Sequence, residues 1–253
     1  MSDSAIFVFV VCCFVGTAAS GQRQPELRAP PLNPVEAEKE ARELINEMLA
    51  QKPSENLTNT GVLHIRNRDR KQRDVPLRID TVLTSSNWFN VYQTTAQGRN
   101  TQLIVRHSTR GPNQYLLVEG ASAAPEVLSG SALMSPFASS DFWIADLGLE
   151  FLHWPKQRLL KKEMRHSRFC EVLESTAGNV ASAGYSRVVA WIEKEQPHGV
   201  MHADAYDSHG RRLKEFDPTK VEKIEGAYQL KSMQIRDVHT GSQTIMEFDL
   251  NDR

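Results

Sequence analysis

The chain has 253 residues, with 30 Lys and Arg against 31 Asp and Glu. Its first twenty residues carry one acid, Asp3, and no base, so the rest balances at 30 against 31 − 1 = 30. That balance excludes a general binder of nucleic acid or another polyanion. Of three cysteines, Cys12 and Cys13 fall in the same leader; Cys170 is left alone, no internal disulfide is available, and a hydrophobic core must hold the fold.

The apolar run from Ala5 to Ser20 ends in the small residues Ala18-Ala19-Ser20. This predicts an export signal over residues 1–20, cleaved near Ser20. The leader lacks a Lys or Arg, so an uncleaved anchor and a misassigned start stay open as alternatives. Residues 21–33 contain Pro25, Pro30 and Pro31 and read as a flexible linker. Asn33-Pro34 is a cap followed by proline at the first helical position. The helix it opens, Val35 to Gln51, places Ala37, Ala41, Leu44, Ile45 and Met48 on one face and Glu36, Lys39, Glu40 and Glu43 on the other. It is expected to cover one end or face of a sheet within a single domain, 34–253.

From Leu57 to Glu119 the apolar period changes to two: Leu63 and Ile65, Leu77 and Ile79, Leu103 and Val105, Leu116 and Val118. The spacers are turn-like, as in Gln97-Gly98-Arg99-Asn100. Short alternating runs at this spacing predict an antiparallel meander. Several runs are apolar on both faces, Trp88-Phe89 and Leu103-Ile104-Val105 among them. A sheet curled around contents needs that; an open sheet with one wet face does not. The pattern resumes at Arg158. Val200–Tyr206 and Arg211–Phe216 form a hairpin whose turn uses Gly210, and Tyr228–Ile235 pairs with Thr244–Leu250. In the last run Thr244, Met246, Phe248 and Leu250 share a face. Tyr185–Lys194 carries bulk on both faces, Trp191 on one and Val188, Ala190 and Ile192 on the other. The expected class is α+β, mainly β: an incomplete antiparallel barrel of about ten or eleven strands, with helices covering the open side or lying in the cavity.

Between the two blocks lies the densest apolar stretch after the leader, Pro136 to Pro155. Ser139 or Ser140 followed by Asp141 reads as a helix start. Trp143, Leu147 and Phe151 recur at i, i+4 and i+8 on one helical face, and Gly148 and Pro155 weaken and stop the helix. Asp141, Asp146 and Glu150 rule out a membrane span. A short helix with more than one apolar side needs cover on more than one side, which a plug inside a curved sheet obtains; an ordinary core helix is the other reading.

The second half resembles the outer-membrane lipoprotein-sorting (LolA-like) family of exported bacterial proteins. The residues that carry the resemblance are Ser139-Ser140-Asp141-Phe142 with Asp146-Leu147, the run Tyr185 to Ile192, Tyr206 to Lys214, and Met233 with Thr240 to Thr244. Leu230 stands where the family often has proline. The resemblance implies a half-barrel with helices as a lid, holding acyl chains in an apolar cavity, in the periplasm, with an envelope transporter or outer-membrane acceptor as partner. The residues expected at the cavity or plug are Phe142, Trp143, Leu147, Phe151, Trp191, Met246 and Phe248. None is expected to be catalytic, and no metal or cofactor is expected.

Other chemistry-bearing residues have plainer readings. His198 and His202, four apart, lack the acid or cysteine cluster a metal site needs. Asp141 and Asp146 are read as capping, solvent-exposed acids. Cys170 is read as a small buried hydrophobe despite His166 nearby. Ser208-His209 sits in a turn with no nucleophile elbow. The basic runs Arg66–Lys71 and Lys161-Lys162 are read as solvated turns, and Asn56-Leu57-Thr58 is a sequon that matters only in a eukaryotic secretory route. Two hypotheses follow: a carrier of lipid or lipoprotein acyl chains, and a non-enzymatic interaction or sensor domain of an envelope complex. An apolar cavity open to solvent favours the first, a barrel filled by its own side chains the second.

Overall fold

The structure, a computed structural model, describes residues 33–249 apart from 97, 109–110, 121–122, 179–183 and 225–226. The expected export signal, all of the expected linker but Asn33, and Leu250 lie outside the described residues.

Helix α1 spans Pro34–Ala50. Asn33 caps it, its side chain accepting from the Val35 N–H at 3.0 Å, and the five apolar residues expected to be buried are the five that are. Thirteen strands follow among the described residues: β1 Leu57–Arg66, β2 Gln72–Leu83, β3 Trp88–Ala96, β4 Arg99–His107, β5 Gln114–Glu119, β6 Glu126–Leu128, β7 Lys156–Arg165, β8 Arg168–Thr176, β9 Arg187–Glu193, β10 Val200–Tyr206, β11 Arg212–Ile224, β12 Ala227–Asp237 and β13 Gln243–Phe248. They form one antiparallel sheet in the order β6-β5-β4-β3-β2-β1-β13-β12-β11-β10-β9-β8-β7. Thirteen replaces the expected ten or eleven. The unanticipated piece is the three-residue edge strand β6, too short to show alternation.

The two meanders, β1–β6 and β7–β13, join where β1 pairs with β13, Leu63 opposite Met246. Gly61 makes that closure possible. A Cβ there would sit 2.2 Å from the carbonyl oxygen of Glu247 on the neighbouring strand. The end strands β6 and β7 do not pair with each other, so the sheet stays open.

The connection from β6 to β7 crosses the inside. It was expected to hold a helix with Trp143, Leu147 and Phe151 on one face. It holds instead a single α-helical turn, α2 Ile144–Leu147, between short 3-10 turns at Gly130–Met134, Phe137–Ser139 and Glu150–His153. Asp146 turns back to accept from the Trp143 N–H at 2.7 Å, which makes Trp143 the cap and not a helical residue. Leu149 then takes the left-handed conformation, φ 49°, and ends the helix before Phe151.

This segment shows that the sheet curls. The Leu147 carbonyl accepts from Tyr92 on β3, while Asp146 lies beside Lys214 on β11. Those strands are five places apart in the sheet, about 24 Å if it were flat; adjacent residues reach both only across a concave face.

Candidate functional site

The concave face divides into three parts. Over β1–β5 and β13, the segment after β6 fills it: Phe137, Phe142, Ile144 and Leu147 pack among Tyr92, Leu103, Met246 and Phe248. Over β7–β9, α1 covers it, with Ala41, Leu44, Ile45 and Met48 packed in one cluster with Leu159, Leu173 and Ile192. Two polar staples hold α1 there, Lys162 to Glu40 at 2.7 Å and His198 to Glu47 at 2.8 Å. Between these two fillings, over β9–β12, a cleft is left open.

The cleft exists because β10 has small residues on its inner face. Gly199 precedes the strand, and Ala203 and Ala205 point inward, while the alternate residues His202 and Asp204 point outward. Phe216 and Pro218 on β11 and Met233 and Ile235 on β12 continue the apolar wall. Pro218, which cannot donate to a ladder, sits at a register shift between β11 and β12. Phe142, Ala145, Leu149 and Phe151 form the opposite wall, and Leu230 and the exposed Val221 also line it. The empty space is about 1060 Å³, counting the open mouth.

One end is polar. Lys214 is 3% exposed; its ammonium donates to the Asp141 carbonyl and stands 3.8 Å from the centroid of Trp143. Asp146 Oδ2 lies 3.8 Å from Nζ and accepts from Tyr185 Oη at 3.2 Å. The Tyr185 and Trp143 rings stack at 4.5 Å. Burial drives both charged groups toward their neutral forms. It lowers Lys214 to about 8 against the pull of Asp146, Asp141 and Asp237, and it raises Asp146 in spite of Lys214.

Of the seven residues expected at the site, Phe142 and Phe151 line the cleft. Leu147, Met246 and Phe248 are buried in the packed part behind it. Trp143 stands between Tyr185 and Lys214 at its polar end. Trp191 points from the opposite face of β9, where its indole N–H donates to Glu163 and the Arg165 guanidinium lies 5.0 Å over the ring. The alanines of β10 and Lys214 were not anticipated. His202-Ala203-Asp204-Ala205 carried the signal, an alternating strand whose inward residues are too small to fill a core.

The remaining candidates separate. His198 and His202 do not converge: the first bonds Glu47 and the Glu193 carbonyl, the second Asp217 at 2.7 Å on the outer face. Among the described residues no three His, Cys, Asp or Glu gather as a metal site would require. Asp146 is not solvent-exposed as expected, and Asp141 accepts from Ser242 and Thr244, tying the plug to β13. Cys170 is buried, its thiol pushed up to about 11 by burial and by Glu193. Ser208 and His209 lie in the exposed β10–β11 turn that Asp207 organises. Lys161 and Lys162 lie on strand β7, not in a turn.

A protein-family model described as an uncharacterized protein matches residues 85–251. The chain belongs to that family, and its fold is LolA-like. Among solved structures it is similar to a DUF1329 family protein from Desulfovibrio piger, at TM-score 0.67 and 19% identity over 85% of this chain and 92% of that one. A domain from Vibrio parahaemolyticus described as outer membrane lipoprotein-sorting gives TM-score 0.69 and 17% identity over 83% and 91%. A LolA superfamily protein from Nitrosomonas europaea gives 0.58 and 17% over 84% and 94%. No curated protein sequence matches the chain. Among the described residues of this LolA-like chain, no helix is long and apolar enough to cross a membrane.

Proposed function

We propose that this LolA-like protein is an exported, non-enzymatic carrier that holds acyl chains of lipids or lipoproteins in the cleft and moves them across the cell envelope. Under this reading it works in the periplasm after loss of residues 1–20, takes cargo from an envelope transporter or membrane, and yields it to an outer-membrane acceptor. The observation that carries the reading is the open apolar cleft between the plug and α1. Phe142 and Phe151 are the aromatic contacts, with Leu147, Met246 and Phe248 as the packed backing that keeps them in place. Each methylene buried contributes about 0.8 kcal/mol, so one long acyl chain offsets the cost of ordering it without any charged contact. An interaction domain with a filled barrel has no use for a hollow of this kind.

The test is mass spectrometry of lipid extracted from protein purified out of its native envelope, with displacement of a fluorescent fatty acid from the same preparation. Co-purifying acyl lipid that the probe displaces supports the carrier. A lipid-free protein that binds no acyl probe refutes it.

A further inference from the structure

The polar end of the cleft has a composition that acyl burial alone does not call for. An ammonium has three N–H donors, and Lys214 makes one hydrogen bond, to the Asp141 carbonyl. Its nearest carboxylate oxygen, Asp146 Oδ2, lies 3.8 Å away, beyond hydrogen-bond reach. That oxygen is held off by two donors of its own, the Trp143 N–H at 2.7 Å and Tyr185 Oη at 3.2 Å. The result is a cation enclosed by Trp143 and Tyr185, lining an apolar cleft, with donor capacity unspent and its counter-charge committed elsewhere. A buried pair serving stability alone is commonly matched or bettered by apolar residues of similar volume. Retaining a lysine here has a use if an anion visits it.

Building on the acyl-binding reading, we infer that Lys214 seats the carboxylate of a single-chain fatty acid that enters head first. The tail then lies along Ala203, Ala205 and Phe216 toward the mouth at Val221 and Leu230. The head must be small, because the Trp143 and Tyr185 rings, stacked at 4.5 Å, close the seat from behind. The charged groups facing Lys214 are Asp146 and the more distant Asp141 and Asp237, with Tyr185 beside them. None of them supplies the direct charged hydrogen bond that an incoming carboxylate makes.

The experiment titrates the lipid-stripped protein at pH 7 with palmitic acid and with 1-hexadecanol, which share a tail and differ in the head. Intrinsic fluorescence reports binding, since Trp143 and Trp154 stand at the cleft. A charged hydrogen bond made in a buried site favours the acid by about tenfold or more. Lys214→Met reduces the ratio of the two affinities to about one, and Lys214→Arg keeps it above one. If Lys214→Met fails to fold, the wild-type ratio still decides. Equal affinity of the wild type for acid and alcohol overturns the seat and leaves the acyl-binding reading standing. Failure of both ligands to bind overturns that reading and the seat with it. Tighter binding of lysophosphatidate than of palmitate assigns the seat to a phosphate head and overturns the carboxylate.

Discussion

Gly148→Ala tests how tightly the plug is seated against the sheet. Gly148 has φ −109°, where alanine is at ease, so the backbone contributes no strain. The obstacle is Tyr115. A Cβ on residue 148 would lie 2.1 Å from Tyr115 Oη and 2.7 Å from two of its ring carbons. Tyr115 is 1% exposed, and its hydroxyl donates to Glu150 at 2.9 Å. The ring must retreat by more than 1 Å to restore ordinary contact, roughly the gap between 2.1 Å and a normal approach. Overpacking a fixed core site costs about 1–3 kcal/mol, and losing the bond to the Glu150 carboxylate adds about 1–3 kcal/mol. The expected loss is therefore about 2–6 kcal/mol, measured by urea unfolding followed through tryptophan fluorescence. Tyr115→Phe removes the atom in closest conflict and the bond to Glu150 together. The double variant should then cost less than the sum of the singles by about 1 kcal/mol or more. A Gly148→Ala protein within about 0.5 kcal/mol of wild type, or strict additivity in the cycle, refutes the packing described.

Three further outcomes are expected. Ala203→Trp fills the cleft floor with an aromatic ring and should abolish binding of a fluorescent fatty acid while circular dichroism stays unchanged; retained affinity would place the cargo elsewhere. Trp191→Ala, on the outer face, should leave acyl affinity within about twofold while lowering the unfolding midpoint modestly, since the half-buried ring gives up its contacts with Glu163, Arg165 and His202; a large loss of affinity would put Trp191 in the binding path. The pH dependence has two opposed limbs. Burial pushes His107 down to about 4, so its stabilising contribution is present above 6.5 and lost as pH falls through 4. His202 is opposed by burial but held protonated by Asp204 and Asp217, up to about 9; its contribution is complete below 6.5 and lost as pH rises through 9. The melting-temperature gap between wild type and His202→Gln should therefore narrow from pH 6.5 to 9, and a gap that widens contradicts the assignment.

Much of the architecture is written in period and punctuation. The five buried residues of α1 follow from helical spacing, and the hairpins of β10–β11 and β12–β13 follow from alternation broken by turn residues. Gly210 takes the positive φ, 76°, that the turn demands. The plug is where local reading stops. Trp143, Leu147 and Phe151 have helical spacing because each must be covered, but what covers them is different in each case. Leu147 packs into the β1–β5 side, Phe151 reaches the α1 side, and Trp143 stacks on Tyr185. A continuous helix would send all three one way. The chain breaks at Gly148-Leu149 so that they serve two clusters, and tertiary packing overrides propensity. The setting of Lys214 was hidden for a related reason: alternation puts it on the Arg211–Phe216 strand, and only the curl of the sheet brings Asp146 and Trp143 over it.

An open apolar cleft ought to collapse, and the reason it does not bears on the proposed carrier reading. In a helical core, neighbouring side chains shift to fill a void, which limits the cost of removing bulk. Here the hollow is bounded by strand backbone. β9, β10, β11 and β12 are joined by antiparallel ladders interrupted only by local register shifts, and Ala203 and Ala205 have no side-chain reach with which to fill the space above them. The plug wall is anchored from outside the cleft, where Asp141 ties it to Ser242 and Thr244, and α1 beyond the cleft is tied to the sheet through Glu40 to Lys162 and Glu47 to His198. Collapse would mean breaking those anchors or bending the sheet, so the cleft stays open. Under the proposed carrier reading its apolar lining is the source of affinity, since water leaves it when a chain enters. The filled parts of the concave face hold the fold, and under the proposed carrier reading the unfilled part receives the acyl chain.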